Sequence, residues 1–248
     1  MIKLSDYSFL KSGIEAISAF IPEGNFRFND EGIHFRAIDP SQIVLIDYHI
    51  ETKVFDSFEV EPSFVGINLT EFNKIISRAM QGDKVIMDLS ESEFKIDFEG
   101  ELERSFTLPL IDVSEDDLKL PTTEYDVKVE INSKIFREAL KDASLFSSSI
   151  LLKINDGKFI LESKGTSGKV ISNSANAKDV KVTSSGDVVS KYSLTYLQNI
   201  VKEADSESNL LIEFKNDAPM KVSFDIGKSK IKFYLAHMLL WFWWTVFH

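Results

Sequence analysis

Alternation of apolar and polar residues with a period of two dominates the chain. In 93–99 and 126–131 every second residue is apolar, which places all apolar side chains on one face of a strand. Similar runs lie at 32–37, 43–50, 85–89, 104–110, 158–162, 180–183, 210–215, 220–226 and 230–235. Many short strands with turn residues between them favour antiparallel sheets over β-α-β units.

Four segments show helical spacing instead of alternation. They are 7–19, 70–80, 133–146 and 194–204. In the second, Phe72, Ile75 and Ile76 recur at three and four residues and share one face. Asn68, with Glu71 three residues later, is typical of a helix start resembling a capping box. Each half of the chain therefore contains two predicted helices embedded in strands.

The two halves also resemble each other. Residues 67–76 align with 192–201, and the first helix aligns with the third at nearly the same offset. Two amphipathic helices can match by chance, but the shared order of helix, strands, helix and strands favours a duplicated domain. The prediction is an α+β fold of two duplicated domains, each with two helices packed on antiparallel sheets. We place the domains at 1–111 and 125–248, with an acidic connector at 112–124 that contains one proline.

The composition of the chain excludes several classes of functional site. The chain has 28 Lys plus Arg against 39 Asp plus Glu, a formal net charge of −11, and no cysteine. Without cysteine there is no disulfide, thiol nucleophile, thiolate zinc site or cysteine-ligated iron–sulfur cluster. The start lacks a basic region leading into an apolar run, and no stretch reaches the ~18 apolar residues that a membrane span needs. We expect a cytoplasmic protein with no membrane partner.

Catalytic motifs do not emerge from the sequence. The four histidines show no pair at metal-ligand spacing. Gly168-Lys169 would fit a phosphate-binding P-loop only with glycine at Ser163 and Ser or Thr at Val170, so a loop between strands is the better interpretation. With no clustered general acid and base either, we expect neither an enzyme nor a bound metal or cofactor.

Basic residues recur on the helices, opposite their apolar faces. For any single helix, an ordinary solvated face with Glu71, Glu138 and Asp142 as ion-pair partners explains them. Taken together in an acidic chain, they favour a surface for a polyanion that is held through phosphates, independently of base sequence. The candidate residues are Lys11, Lys74, Arg78, Lys134, Arg137, Lys141 and, with weaker support, Lys202.

Three stretches resemble a known family, the sliding clamps of archaea and eukaryotes, or proliferating cell nuclear antigen (PCNA) family. Residues 32–45, with Asp39-Pro40-Ser41, resemble its strand, loop and strand. Residues 118–125 resemble the end of its interdomain connector, and 231–236 resemble its closing strand. The match runs in order from residue 1 to about 236 and is closest to an archaeal-type subunit.

The resemblance implies a pseudo-sixfold ring of three subunits around duplex DNA, with the helices and the basic residues above lining the hole. Such a clamp catalyses no reaction; it confers processivity and tethers replication and repair enzymes. Implied partners are double-stranded DNA, two further clamp subunits in a homotrimer or heterotrimer, a clamp loader, DNA polymerase, flap endonuclease and DNA ligase. The implied location is the nucleoid.

The resemblance also implies, by position in the sequence, a pocket for partner proteins and a contact between subunits. Partners of this family insert a short motif into a pocket beneath the connector. Two of the residues that would line this pocket, Ile43 and Leu45, could equally be apolar only because they pack in the core. The pocket residues would be Ile38, Ile43, Leu45, Leu118, Leu120, Pro121, Tyr125, Pro219 and Ala236. Subunits pair edge strands, predicted at 105–110 and 172–180. The contact residues would be Ser105, Phe106, Thr107, Leu108, Leu110, Ser172, Ser174, Ala177 and Val180.

The end of the chain departs from the family. His237 stands where the family usually has proline, and 238–248 is apolar and contains all three tryptophans. This tail is too short to span a bilayer. It is the main support for an alternative function, a clamp-fold protein-interaction module that does not encircle DNA, although a frame change would equally account for such a tail.

Overall fold

The computed structural model describes residues 1–112, 118–175 and 177–239. They form two compact units: 1–121 with 202–205 and 223–233, and the remainder from 122 onwards. Each unit contains two helices, α1 Ser8–Ser18 and α2 Leu69–Ile76 in the first, α3 Ser133–Ser144 and α4 Leu194–Ile200 in the second. The predicted two helices per half are therefore confirmed. The predicted residues 113–117 of the connector and 240–248 of the tail lie outside the described residues.

In the first unit, the strands belong to two antiparallel sheets. The strands are β1 Ile2–Leu4, β2 Glu23–Asn29, β3 Gly32–Ile38, β4 Val44–Glu51, β5 Ser57–Phe58, β6 Ser63–Asn68, β7 Lys84–Leu89, β8 Glu93–Glu99 and β9 Arg104–Pro109. One sheet has the order β5-β1-β7-β8-β9, and β4-β3-β2-β6 are neighbours in the other. A 3-10 turn, Thr52–Val54, follows β4.

The second unit repeats this plan. Its strands are β10 Val127–Asn132, β11 Ser149–Asn155, β12 Lys158–Gly165, β13 Gly168–Asn173, β14 Val180–Ser184, β15 Val188–Ser193 and β16 Asn209–Phe214. They pair antiparallel in the orders β13-β12-β11-β15 and β14-β10-β16. The last two strands, β17 Met220–Ile226 and β18 Ser229–Leu235, contribute residues to both units.

Alternation along the strands determines which face is buried. In β8, Phe94, Ile96 and Phe98 are at most 1% exposed, whereas Glu93 and Lys95, on either side of Phe94, are exposed. Burying one such side chain contributes roughly 1.5–3 kcal/mol, so a single face of the strand supplies most of its stabilisation.

Gly13 in the middle of α1 shows how closely helix and sheet pack. Glycine costs helix stability. Here a Cβ would lie 2.1 Å from the hydroxyl oxygen of Tyr48, which is 1% exposed on β4. No larger residue fits at this contact between α1 and the sheet.

Several predicted boundaries are wrong. Helices α2 and α4 end four residues earlier than the periodicity indicates, at Ile76 and Ile200. After α2 the amides of Arg78 and Ala79 bond three residues back, which is a tightened last turn rather than further helix. The strand expected at 172–180 is two strands, since β13 ends at Asn173 and β14 begins at Val180. Alternation did not predict seven of the strands: β1, β2, β5, β6, β11, β13 and β15.

Candidate nucleic-acid interface

Five of the seven candidate phosphate-binding residues belong to helices. Lys11 lies on α1, Lys74 on α2, and Lys134, Arg137 and Lys141 on α3. Arg78 and Lys202 lie two residues beyond the ends of α2 and α4. All are exposed except Lys11 and Arg137, which are half-buried.

Two of these lysines have the predicted acidic partners three residues before them. Lys74 Nζ lies 2.7 Å from Glu71 Oε1, and Lys141 Nζ lies 2.8 Å from Glu138 Oε1. The hydrogen bond from Lys141 lowers the pKa of the Glu138 carboxyl. Both pairs are exposed, so they are screened by solvent and can exchange the carboxylate for a phosphate at little cost.

Lys202 and Arg137 each make at least two contacts within the chain, more than Lys74 or Lys141. Lys202 Nζ lies 2.9 Å from Glu15 on α1 and 3.4 Å from Glu203, and the hydrogen bond to Glu15 raises the pKa of the lysine. Arg137 donates from Nη1 to the Val201 carbonyl at 3.3 Å and from Nη2 to Ser206 Oγ at 2.7 Å. Arg137 therefore also holds the segment that follows α4. In the described part of the chain, Lys11, Arg78 and Lys134 have no ion-pair partner.

Arg36 holds Leu118, in the later part of the connector, against the first unit. Its Nε and Nη2 donate to Asp47 Oδ1 at 2.9 and 2.8 Å, and its Nη1 donates to the Leu118 carbonyl at 3.0 Å. A cavity of about 660 Å³ lies on this face and is lined by all three residues, with His34 and Arg27 beside them. Sequence reasoning did not identify Arg36, because no local pattern indicates a bond to Leu118.

The turn between β3 and β4 is organised by Asp39, which is 4% exposed. Asp39 Oδ1 accepts hydrogen bonds from the amides of Ile43 at 2.6 Å and Val44 at 2.7 Å. These bonds fix the backbone on either side of Ile38 and Ile43. Ile38 is 39% exposed, whereas Leu45 is 8% exposed and packs in the core.

The remaining predicted pocket residues are half-buried. Leu118, Leu120 and Pro121 belong to the first unit, and Tyr125, Pro219 and Ala236 to the second. Burial raises the pKa of Tyr125 to about 12. Its hydroxyl is buried without a hydrogen-bond partner among the described residues, and Lys221 Nζ lies 5.5 Å from its ring centroid.

Two of the strands at sheet edges correspond to the predicted subunit contacts, and each has one side unpaired. They are β9, after β8, and β13, after β12. In both strands residues alternate between half-buried and exposed, and none is fully buried. Ser105, Phe106, Thr107 and Leu108 lie in β9, and Leu110 follows it. Ser172 lies in β13 and Val180 begins β14, whereas Ser174 and Ala177 lie between these two strands.

Neither a metal-ligand cluster nor a membrane-spanning helix occurs among the described residues. Across 1–112, 118–175 and 177–239, no three His, Asp or Glu side chains are placed to hold a metal ion. Within these ranges no helix is long and apolar enough to cross a membrane.

Two family models together match residues 1–238. Proliferating cell nuclear antigen, N-terminal domain, matches residues 1–128, and proliferating cell nuclear antigen, C-terminal domain, matches 119–238. Among curated proteins, DNA polymerase sliding clamp 1 of Thermococcus kodakarensis is 34% identical over 90% of this chain and 92% of its own length. The DNA polymerase sliding clamp of Methanococcus maripaludis is 35% identical over 91% and 94%.

Solved structures agree on the fold. A PCNA structure from Thermococcus kodakaraensis superposes with a TM-score of 0.90 at 24% identity, over 96% of this chain and 99% of that one. The proliferating cellular nuclear antigen of Entamoeba histolytica gives a TM-score of 0.88 at 24% identity, over 96% and 98%.

Proposed function

Because the chain belongs to the proliferating cell nuclear antigen family, we propose that it is a DNA polymerase sliding clamp subunit, which encircles duplex DNA with two further subunits. The observation that carries the proposal is the placement of basic side chains on or just after the helices of both units of an acidic chain. Positive groups without base-reading geometry attract phosphates of any sequence, which suits a protein that slides.

The environments of the seven basic residues suggest unequal roles. Lys11, Arg78 and Lys134 contact phosphate without giving up a partner. Lys74 and Lys141 exchange an exposed carboxylate for phosphate. Arg137 and Lys202 contribute least, because their internal bonds would have to be replaced.

Alanine substitution of three exposed residues tests the phosphate contacts. Lys74→Ala, Arg78→Ala and Lys141→Ala together should weaken binding to linear duplex DNA at low salt. The slope of log affinity against log salt should fall by about 0.9 for each lost contact. Fluorescence anisotropy over a salt series measures both quantities. Arg137 is left intact because its removal would strand the Val201 carbonyl and Ser206.

A matched control removes the same charge elsewhere. Three exposed lysines outside the helices that carry the basic residues serve for this: Lys53, Lys95 and Lys158. Lys53 and Lys95 each pair with a nearby carboxylate, as Lys74 and Lys141 do. Their replacement by alanine should leave the salt slope unchanged. Equal losses in both triple variants would overturn the assignment, because only net charge would then matter.

We further propose that replication and repair enzymes dock through a short peptide with aliphatic and aromatic anchors. Half-buried apolar side chains at Leu118 and Leu120, and the exposed Ile38, all in the first unit, support this role. Arg36 supports it by holding the Leu118 backbone. A small apolar site with a few anchors is sufficient for such an interface. Clamp loader, polymerase, flap endonuclease and ligase are the proposed partners.

Subunits are proposed to join through the open edges of β9 and β13. Each strand has unpaired backbone groups, and pairing them would remove an edge prone to aggregation. Ile171, 48% exposed on β13, would be covered by the contact. Pro109 at the end of β9 is compatible with an edge, where its missing donor is tolerated.

A further inference from the structure

A buried ion pair joins the first residue of β9 to the segment that follows α2. The side chain of Asp83 is 2% exposed and pairs with Arg104, whose side chain is 16% exposed. The same carboxylate accepts the Met80 amide at 2.7 Å, and the Met80 carbonyl accepts the Tyr7 hydroxyl at 2.7 Å. A charge buried this deeply persists in the folded state only when it is paired and hydrogen-bonded.

Arg104 has a second acceptor in this segment. Its Nη1 donates to the Arg78 carbonyl at 2.8 Å, and its guanidinium carbon lies 4.9 Å from the ring centroid of Phe98. Since α2 ends at Ile76, the Arg78 amide bonds three residues back to the Ile75 carbonyl, at 2.8 Å, and the Arg78 carbonyl accepts from Arg104. The planar fork of arginine can hold two acceptors in a fixed geometry, which the point charge of lysine cannot.

We propose that Arg104 is a positioning residue for duplex binding. Its guanidinium fixes the backbone of 77–83 and thereby holds the exposed Arg78 side chain where it contacts phosphate. This inference rests on the proposed function. Because Arg104 begins β9, one side chain links the strand that meets the neighbouring subunit to the segment that meets DNA.

A double-mutant cycle tests whether Arg104 acts through Arg78. Arg78→Ala and Arg104→Gln should each weaken duplex binding about five- to tenfold, as for the loss of one ordinary hydrogen bond. The double variant should bind no more weakly than Arg78→Ala alone, because a misplaced guanidinium and an absent one are equivalent. If the loss of affinity in the double variant equals the product of the losses in the two single variants, the proposal is overturned, since Arg104 would then act independently of Arg78.

Arg104→Lys keeps the cycle usable if Arg104→Gln does not fold. Lysine retains the charge but can reach only one of the two acceptors, so we expect a smaller loss of affinity and faster amide hydrogen exchange at Met80. Wild-type affinity despite faster exchange at Met80 would overturn the proposal, because the backbone would then have loosened without any effect on binding. Arg27→Gln is the matched control, because Arg27 also lies 4.9 Å over an aromatic ring in this unit, that of Phe64, and should leave duplex affinity unchanged.

The outcomes separate this inference from the function on which it rests. A wild-type protein that does not bind duplex at low salt overturns the proposed function and the inference with it. A wild-type protein that binds, an Arg78→Ala variant that binds weakly and an Arg104→Gln variant that binds normally overturn only the positioning role.

Discussion

His34 and His49 face each other on β3 and β4, with their rings stacked 3.9 Å apart at an interplanar angle of 15°. Burial, followed by the neighbouring His49, lowers the pKa of His34. His34 therefore binds a proton less readily in the folded chain than in the unfolded one. The other charged groups around it are Arg27, Glu31, Arg36 and Asp47.

Acid should destabilise the protein through His34. A lowered folded pKa means that the neutral ring contributes its full stability above the unfolded pKa of about 6.5, and that this contribution is lost as the pH falls below it. Urea unfolding at several pH values should show that the wild type loses more stability on acidification than His34→Gln. For one proton the difference in slope is at most about 1.4 kcal/mol per pH unit. Parallel pH profiles would contradict this assignment.

The sequence identified basic residues more readily than the contacts that organise them. Helical spacing alone selects Lys74, Arg78 and Lys141. By contrast, Arg36 and Leu118 are 82 residues apart, and Arg104 and Asp83 are 21 apart. No local pattern indicates such pairs, because they form only when distant strands and loops are brought together.

The sequence predicts the start of a helix well where a capping side chain stands there. Asn68 accepts the Glu71 amide, which confirms the predicted start of α2. The end of the same helix was misplaced because apolar spacing continues past Ile76, while the buried Asp83 carboxylate takes the Met80 amide. Short strands such as β1 and β5 were missed because two or three residues do not establish an alternation.

The start of α3 allows a quantitative test of capping. Asn132 Oδ1 accepts the amides of Lys134 at 3.0 Å and Ile135 at 3.3 Å. Asn132→Ala should lower the free energy of unfolding by about 1–2 kcal/mol, measured by chemical denaturation. Ser193 at the start of α4 makes no side-chain cap bond, so Ser193→Ala should change stability by less than about 0.5 kcal/mol. Similar losses in the two variants would argue against the cap.

At the level of the whole chain, the internal repeat was the most informative signal. Matching segments in the two halves predicted a duplicated α+β fold, and the family models and solved structures confirm both the fold and the resemblance. The repeat cannot specify the partner of an edge strand, because pairing between chains depends on a surface that another molecule supplies.

Partner binding should depend on the connector leucines. Leu118→Ala with Leu120→Ala should weaken a fluorescent peptide carrying aliphatic and aromatic anchors, because the apolar area available to the anchors is reduced. The molar mass should be unchanged. Leu102→Ala, at a leucine that is 62% exposed elsewhere in the first unit, is the control and should bind peptide as the wild type does. A double variant that retains full peptide affinity would remove these leucines from the site.

The open edges of β9 and β13 leave backbone donors and acceptors unpaired in a single chain, so we expect several chains to assemble. The molar mass in solution tests this assembly most directly. Light scattering should give three times the 28.2 kDa chain mass, from this chain alone or with related clamp chains. Ile171→Asp on β13 should reduce the mass to that of one chain, because a carboxylate would be buried in the contact. Ile135→Asp is the matched control, since Ile135 is similarly exposed, at 43%, but lies on α3, and its replacement should leave the mass unchanged. If Ile171→Asp assembles like the wild type, β13 is not the contact strand; if the wild type remains a single chain with and without related chains, the ring itself is ruled out.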